Sequence, residues 1–296
     1  MQKKATLQVQ AILYKNDTVD LIRSLEKLAN AVRVDRITDT FLSEVTLVWG
    51  DASPSPVFTD EEIAALNQRF GETLRVRYVY FNENTGYGKG HNRLAADATS
   101  TYLMIENPDI VIAGDYFHHM LSPFREASVG LTEARQTPIE HPKKYDPITL
   151  ETPWASGACF IIPTALYRSL KGFDDVSFFM YSEDVDLSLR IRRAGKRLIY
   201  QPAAPVYHAK HVNKHGSLTH TDTETRYSAE AQMVLAYKWN KPTLVYHLLH
   251  TFENGNDLQK EAAASFRRRM EAHELTRLHR KTDLYDEDQL DNRFSL

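Results

Sequence analysis

The chain has 296 residues, 42% of them hydrophobic, enough for one large domain with an appendage or for two modest domains. A formal net charge of -3 gives no global signal for nucleic acid, and the single cysteine, Cys159, excludes an internal disulfide framework and fits a reducing compartment. Met1-Gln2-Lys3-Lys4-Ala5-Thr6 lacks the apolar run of a signal peptide, and the most apolar late stretch, Thr243 to Leu249, is far too short for a membrane span, so a cytoplasmic location is expected.

Leu7, Val9, Ala11 and Leu13 alternate with Gln8 and Gln10 as in a strand that ends at the turn-prone Lys15-Asn16-Asp17. Leu21, Ile22, Leu25, Leu28, Ala29 and Val32 then recur at helical spacing behind a cap at Asn16 or Asp17. Val45 to Trp49 reads as a buried strand opening into Gly50-Asp51-Ala52-Ser53-Pro54. Thr59 with Glu62 forms a capping-box pattern for a helix with Ile63, Leu66 and Phe70 on its face. A third strand, Val76 to Phe81, leads into a glycine-rich loop, Asn82 to Asn92, followed by a helix over Arg93 to Ala98 and a fourth strand, Tyr102 to Ile105. This alternation predicts a mostly parallel sheet covered by helices, with ligands where the strands' carboxyl ends open into loops. Those loops are Asn16-Asp17, Asp51 to Ser53, Asn84 to Asn92 and Glu106 to Asp109.

From Ile110 the pattern is mixed, with a strand at Ala127 to Leu131 and a loop from Arg135 to Leu150 that carries His141-Pro142-Lys143-Lys144. Trp154 to Ile162 turns through small residues into a buried strand that holds Cys159 as a core residue, and Thr164 caps a short helix ending near Gly172. Phe178-Phe179-Met180-Tyr181-Ser182 runs into Glu183, Asp184 and Asp186 at the start of a helix whose later turns hold Arg190, Arg192 and Arg193 and which Gly195 closes. A strand at Arg197 to Tyr200 and an extended piece, Pro205 to His208, follow. Residues 222–296 shift to helix formers, with an acidic run over Asp283 to Asp291. They read as a helical appendage to a catalytic domain of residues 1–221, with too few large apolar residues for a core of its own.

Three stretches carry chemistry. Gly86-Tyr87-Gly88-Lys89-Gly90 lies between a strand and a helix, where backbone amides meet phosphates, although its spacing is neither the dinucleotide fingerprint nor a Walker loop. Asn107-Pro108-Asp109 puts a carboxylate at a strand's mouth, where it can share a divalent ion with water and diphosphate oxygens. His208, His211, His215 and His220 lack a cysteine partner, which argues against structural zinc and leaves His208 as a single ligand beside Asp109.

With these parts assembled, residues 7–217 resemble the family 2 glycosyltransferases, specifically their bacterial rhamnosyltransferase-like branch. The motifs are Asn84 to Asn92, Asn107 to Asp109, Ser156 to Cys159, Gly172 to Asp174, Phe178 to Leu187 with Arg190, and Val206 to His208. The resemblance implies a GT-A fold, a nucleotide-diphosphate sugar donor, a divalent cation (Mn2+ or Mg2+) and inverting transfer to a hydroxyl of a glycan or polyprenyl-linked acceptor. It assigns donor binding to Asp51, Asn84, Gly86, Lys89, Gly90 and Asn92, the metal to Asp109 and His208, and the general base to Asp184. Trp154, Ser156, Gly157 and Glu183 would serve the acceptor. Glu106 stands where the branch usually has an apolar residue, and the processive members' Gln-X-X-Arg-Trp element is missing, which implies one sugar per encounter. Rhamnose from dTDP-rhamnose is the favoured donor, with UDP-hexose and UDP-galactofuranose as alternatives. The C-terminal helices, with Arg267, Arg268 and Arg269, are candidates for peripheral membrane contact or a homodimer, a solvated face being the default. A sugar-nucleotide nucleotidyltransferase should carry a glycine-rich signature after the first strand, which Tyr14 to Asp17 does not supply. A non-catalytic sugar-binding protein would have little reason to keep Asp109, Asp184 and His208 together.

Overall fold

The computed structural model describes residues 4–38, 41–140, 144–208 and 221–278. Its first half alternates strand and helix as the periodicity requires: β1 (Ala5–Leu13), α1 (Thr18–Thr38), β2 (Leu42–Asp51), α2 (Asp60–Phe70), β3 (Arg75–Tyr80), α3 (Gly86–Ala96) and β4 (Tyr102–Glu106). Short β5 (Ile110–Ile112) and α4 (Tyr116–Leu121) lead to β6 (Val129–Thr137), β7 (Cys159–Pro163), α5 (Thr164–Ser169), α6 (Glu183–Arg193) and β8 (Arg197–His208). Helices α7 (Asp222–Lys238), α8 (Pro242–Glu253) and α9 (Asp257–Glu271) follow.

The eight strands form one sheet in the order β3-β2-β1-β4-β7-β6-β8-β5. β1 to β4 are parallel, while β7 runs antiparallel to both β4 and β6. The carboxyl ends of β1, β2 and β4 therefore open on one edge, and β7 returns its preceding turn, residues 156–158, to that edge. Leu7, Val9, Leu47, Met104 and Ile161 fill the core with Leu21, Leu25 and Val32 of α1. The Asp17 carboxylate accepts the Val19 amide 2.7 Å away, and the predicted capping box of Thr59 and Glu62 closes the start of α2.

Several elements differ from the sequence reading. The glycine-rich loop is itself the first two turns of α3. Glycine is tolerated there because the helix lies close to its neighbours: a Cβ on Gly90 would stand 2.9 Å from Ile12 Cδ1 and from Thr85 Oγ1, and one on Gly88 3.0 Å from Phe173 Cβ. β6 continues to Thr137, into the stretch expected to be loop, and β8 is continuous through Pro202 to His208. Thr164 begins α5 without a side-chain capping bond. His141 to Lys143, His211, His215, His220 and the acidic run at Asp283 to Asp291 lie outside the described residues.

The C-terminal helices do not form a separate core. Trp239, Phe266, Leu235 and Val234 share a buried cluster with Trp154, Phe178, Val185 and Leu189 of the main domain, so α7 and α9 extend the core that supports α6. Arg267 pairs with Glu253, Arg268 donates to Ser265 Oγ at 3.3 Å, and Arg269 pairs with Glu230 and donates to the Val176 and Ser177 carbonyls, so all three arginines are engaged within the chain. Among the described residues no helix is long and apolar enough to cross a membrane.

Candidate active site

The strand β5 pairs antiparallel with β8, with Ile110 opposite His208, and this register brings His208 beside Asp109. The Asp109 Oδ2 to His208 Nε2 distance is 3.6 Å. His208 Nδ1 lies 2.9 Å from Gln136 Oε1, an acceptor, which places the ring proton on Nδ1 and leaves the Nε2 lone pair facing Asp109 and the Asn107 amide 3.2 Å away. Two cis ligands on one divalent ion stand about 3 Å apart, so this pair fits a shared cation with little adjustment. Among the described residues no group of three or more His, Cys, Asp and Glu side chains is placed to hold a metal. The remaining positions would therefore fall to water and phosphate oxygens, the usual arrangement for a nucleotide-bound ion. Glu106, the extra acid, is buried at the end of β4; burial and the nearby Asp109 raise its carboxyl to about 8, which keeps it neutral at pH 7.

The turn at residues 156–158 joins the Asp109 loop to the acids of α6. Asn107 N donates to Ala158 O at 2.9 Å, and Gly157 N donates to Asp184 Oδ2 at 2.7 Å. The other Asp184 oxygen accepts its neighbouring Val185 amide at 2.8 Å. Tyr87, from α3, donates to Gly157 O at 2.5 Å, so α3, the 156–158 turn and α6 converge on Asp184. Tyr181 and Ser182 both adopt left-handed backbone, with φ of 70° and 60°, unusual for two successive side-chain-bearing residues and typical of strain held at a functional turn. That turn drives Glu183 inward and leaves Asp184 partly exposed, the only one of the three acids that is not buried. Burial, the Asp184 charge and Asp186 raise the Glu183 carboxyl well above the usual range.

A polar cleft of about 430 Å³ opens at the ends of β1 and β2, lined by Lys15, Asn16, Asp17, Thr18, Ser53, Ser55, Pro56 and Val57. Asp51 lies fully buried at the end of β2, accepting the amides of Ser53 and Val57, each at 2.8 Å, and the Tyr78 hydroxyl. It therefore shapes the cleft by holding its loop, and burial with the Asp51 bond pushes the Tyr78 phenol up to about 12. Sequence reasoning singled out Asp51 and the Asn16-Asp17 loop but missed Lys15, Thr18, Ser55 and Val57 as wall residues. Their position at two neighbouring strand ends was the signal available.

Other expected site residues are placed differently. Asn84 Oδ1 accepts Gly86 N at 3.2 Å, and Tyr87 N donates to Phe179 O at 3.1 Å, so the first amides of α3 are used within the chain and are not left for a phosphate. Gly86, at φ 65°, permits that contact, since a Cβ there would stand 2.3 Å from Phe179 O. Gly90 packs on β1, and Lys89 is an exposed partner of Glu83. Asn92 faces away from the cleft: its amide donates to Phe173 O and Asp175 Oδ2, and its carbonyl accepts from Tyr167 and Phe173 N. Trp154 is 2% exposed in the core against the C-terminal helices, and Glu183 is buried against Gly88 of α3. Neither lines an acceptor surface, because long-range packing claims both side chains. Ser156, buried, organises the turn: its amide donates to Glu133 Oε1 at 2.8 Å and its hydroxyl accepts Ala158 N at 3.2 Å.

No family model matches the chain. It is similar to an N-acetylglucosaminyl-diphospho-decaprenol L-rhamnosyltransferase of Mycobacterium tuberculosis, 34% identical over 35% of this chain and 31% of that protein. It is also similar to the rhamnosyltransferase WbbL of Escherichia coli, 26% identical over 54% of this chain and 77% of that one. The chain thus spans about a third of the length of the mycobacterial relatives it matches. Among solved structures, GalNAc-T7 with UDP, GalNAc and Mn2+ superposes over 93% of this chain and 56% of its own, with a TM-score of 0.64 and 13% identity. The mannosyltransferase PcManGT from Pyrobaculum calidifontis with GDP-Man and Mn2+ covers 99% of this chain and 85% of its own, with a TM-score of 0.55 and 17% identity. The chain has the GT-A glycosyltransferase fold, and the rhamnosyltransferase-like resemblance read from its motifs is borne out by the relatives it matches.

Proposed function

We propose that the protein is an inverting, metal-dependent glycosyltransferase. It moves a sugar, rhamnose from dTDP-rhamnose as first choice, to a hydroxyl of a cell-surface glycan or lipid-linked acceptor. The observation that carries this reading is the shared turn at Gly157-Ala158, which holds Asp184 on one side and the Asp109 loop on the other. Inverting transfer needs a base on one face of the anomeric carbon and charge stabilisation at the departing diphosphate on the other.

In this reading the cleft beside Asp51 receives the nucleoside, and Asp109 with His208 Nε2 would hold the divalent cation. When bound, that ion neutralises charge developing on the leaving diphosphate. Asp184 accepts the acceptor hydroxyl's proton, and Gly157 N and Val185 N fix the position of its two oxygens. The lipid-linked acceptor is inferred from the mycobacterial relative's decaprenol-linked substrate, and it makes a peripheral position at the inner membrane face the working location. Residues 1–221 supply the chemistry, and residues 222–296 support it.

A screen of dTDP-rhamnose, UDP-glucose, UDP-galactose and UDP-galactofuranose with Mn2+ or Mg2+, read as nucleoside diphosphate release, tests the proposal. Metal-dependent release from one donor is expected. Tight binding of a sugar-nucleotide without release under any condition would favour a binding protein instead.

A further inference from the structure

The motif Gly172-Phe173-Asp174 and the acid Asp186 take no part in the proposed chemistry, yet both acids meet one buried ammonium group. Lys238, the last residue of α7, places Nζ 2.6 Å from Asp174 Oδ2 and 2.8 Å from Asp186 Oδ1, with 7% of its side chain exposed. Asp186 lies two residues after Asp184 and is fully buried; it also accepts Trp239 Nε1 at 3.0 Å and Arg190 Nε at 2.8 Å. Two carboxylates and two cations thus balance inside the protein, which is the condition for burying charge without a large penalty. Burial alone would raise the Asp174 carboxyl, but Lys238, Thr276 and Ser177 outweigh it and hold the group well below the usual range.

Helices α7 and α9 and the segment that follows α9 grip the stretch between the two acids. Thr276 Oγ1 donates to Asp174 at 2.6 Å and Thr276 N to Ser177 Oγ at 3.1 Å, while Arg269 donates to the carbonyls of Val176 and Ser177. Phe179 packs against Tyr227 of α7 with ring centres 4.8 Å apart and ring planes tilted by 37°, and its carbonyl receives Tyr87 N at the start of α3. Residues 174–182, including the strained Tyr181-Ser182 pair, are therefore held at both ends by contacts from α7, α9 and α3.

We propose that Lys238 is a positioning residue: by tying Asp174 and Asp186 to α7 it fixes the amino end of α6, and with it the carboxylate of Asp184. The inference rests on the glycosyltransferase reading for its kinetic consequence but not for its structural one. It makes the C-terminal helices part of the site.

The full chain carrying Lys238→Met, close in volume and neutral, and Lys238→Arg, which keeps the charge, would be compared with the parent by steady-state kinetics and amide hydrogen exchange. Lys238→Met should lower kcat about ten-fold or more with donor KM within about two-fold, and Lys238→Arg should recover most of the loss. Exchange should accelerate about ten-fold over residues 174–187 while β1 to β4 stay protected. Unchanged kcat, or acceleration spread equally over β1 to β4, would overturn the proposal. Should Lys238→Met fail to fold, Asp174→Asn, which keeps the shape and removes one of the two paired charges, carries the same expectation and the same refutation. If the parent turns over no donor, the glycosyltransferase reading fails, and the exchange pattern alone then decides for or against the tie.

Discussion

Replacing His91 with Phe isolates the cost of burying a titratable ring beneath the site. His91 is fully buried on α3, its ring centre 4.5 Å from that of Tyr87, and Nδ1 lies 3.2 Å from Gln10 Oε1. Burial lowers its imidazole from 6.5 to about 3. The folded protein therefore refuses a proton that the unfolded chain binds, so stability present above pH 6.5 is lost as pH falls towards the folded value. From these two values, about 2 kcal/mol should disappear between pH 7 and pH 5 through this group alone. The Phe variant loses the Gln10 bond, about 1 kcal/mol at either pH, but lacks the titration. Urea unfolding of both proteins at the two pH values gives the double difference, and the parent should lose about 2 kcal/mol more than the variant on acidification. Parallel losses within about 0.5 kcal/mol would refute the reasoning. Because Tyr87 meets this ring edge-to-face and bonds Gly157, charging His91 should also disturb the turn that holds Asp184.

Three further substitutions test other parts of the site. Asp51→Asn should cost about 2 kcal/mol, since it weakens charge-assisted bonds from Ser53 N, Val57 N and Tyr78; urea unfolding showing less than about 0.5 kcal/mol would deny Asp51 its role in the cleft wall. Gly90→Ala forces a Cβ against Ile12 and Thr85 and should destabilise by about 1–3 kcal/mol, an effect that an unchanged thermal midpoint would contradict. Asp109→Ala should abolish metal-dependent donor binding measured by calorimetry while leaving the fold intact, and unchanged affinity would remove Asp109 from the cation site.

Much of the sheet was legible because β1, β2 and α1 announce themselves through spacing that a single element imposes. Leu21, Leu25, Leu28 and Val32 could bury only on a helix, and Thr59 with Glu62 could only cap one. The glycines of α3 misled for a physical reason: their low helix propensity is outweighed by the close approach to Ile12, Phe173 and Phe179, which no local pattern reveals. The pairing of Asp109 with His208 depended on a motif order remote in sequence, and the β5 to β8 register supplied the contact. Trp154, Asn92 and Glu183 look like site residues beside their neighbours, but Asn92 is taken up by partners 75 or more positions away, Glu183 packs against Gly88 of α3, and Trp154 joins the core of the C-terminal helices. Lys238 carried no signal at all, since a lysine at a helix end is ordinarily solvated, and only the fold shows two carboxylates meeting its buried ammonium.

The central claim is that Asp184 is the base of a glycosyl transfer organised by the Gly157-Ala158 turn. Its most direct test is single-turnover transfer by Asp184→Asn, with donor affinity measured in parallel. Turnover should fall about 10²- to 10⁴-fold with donor affinity unchanged. A variant that transfers at the parent's rate would contradict the claim.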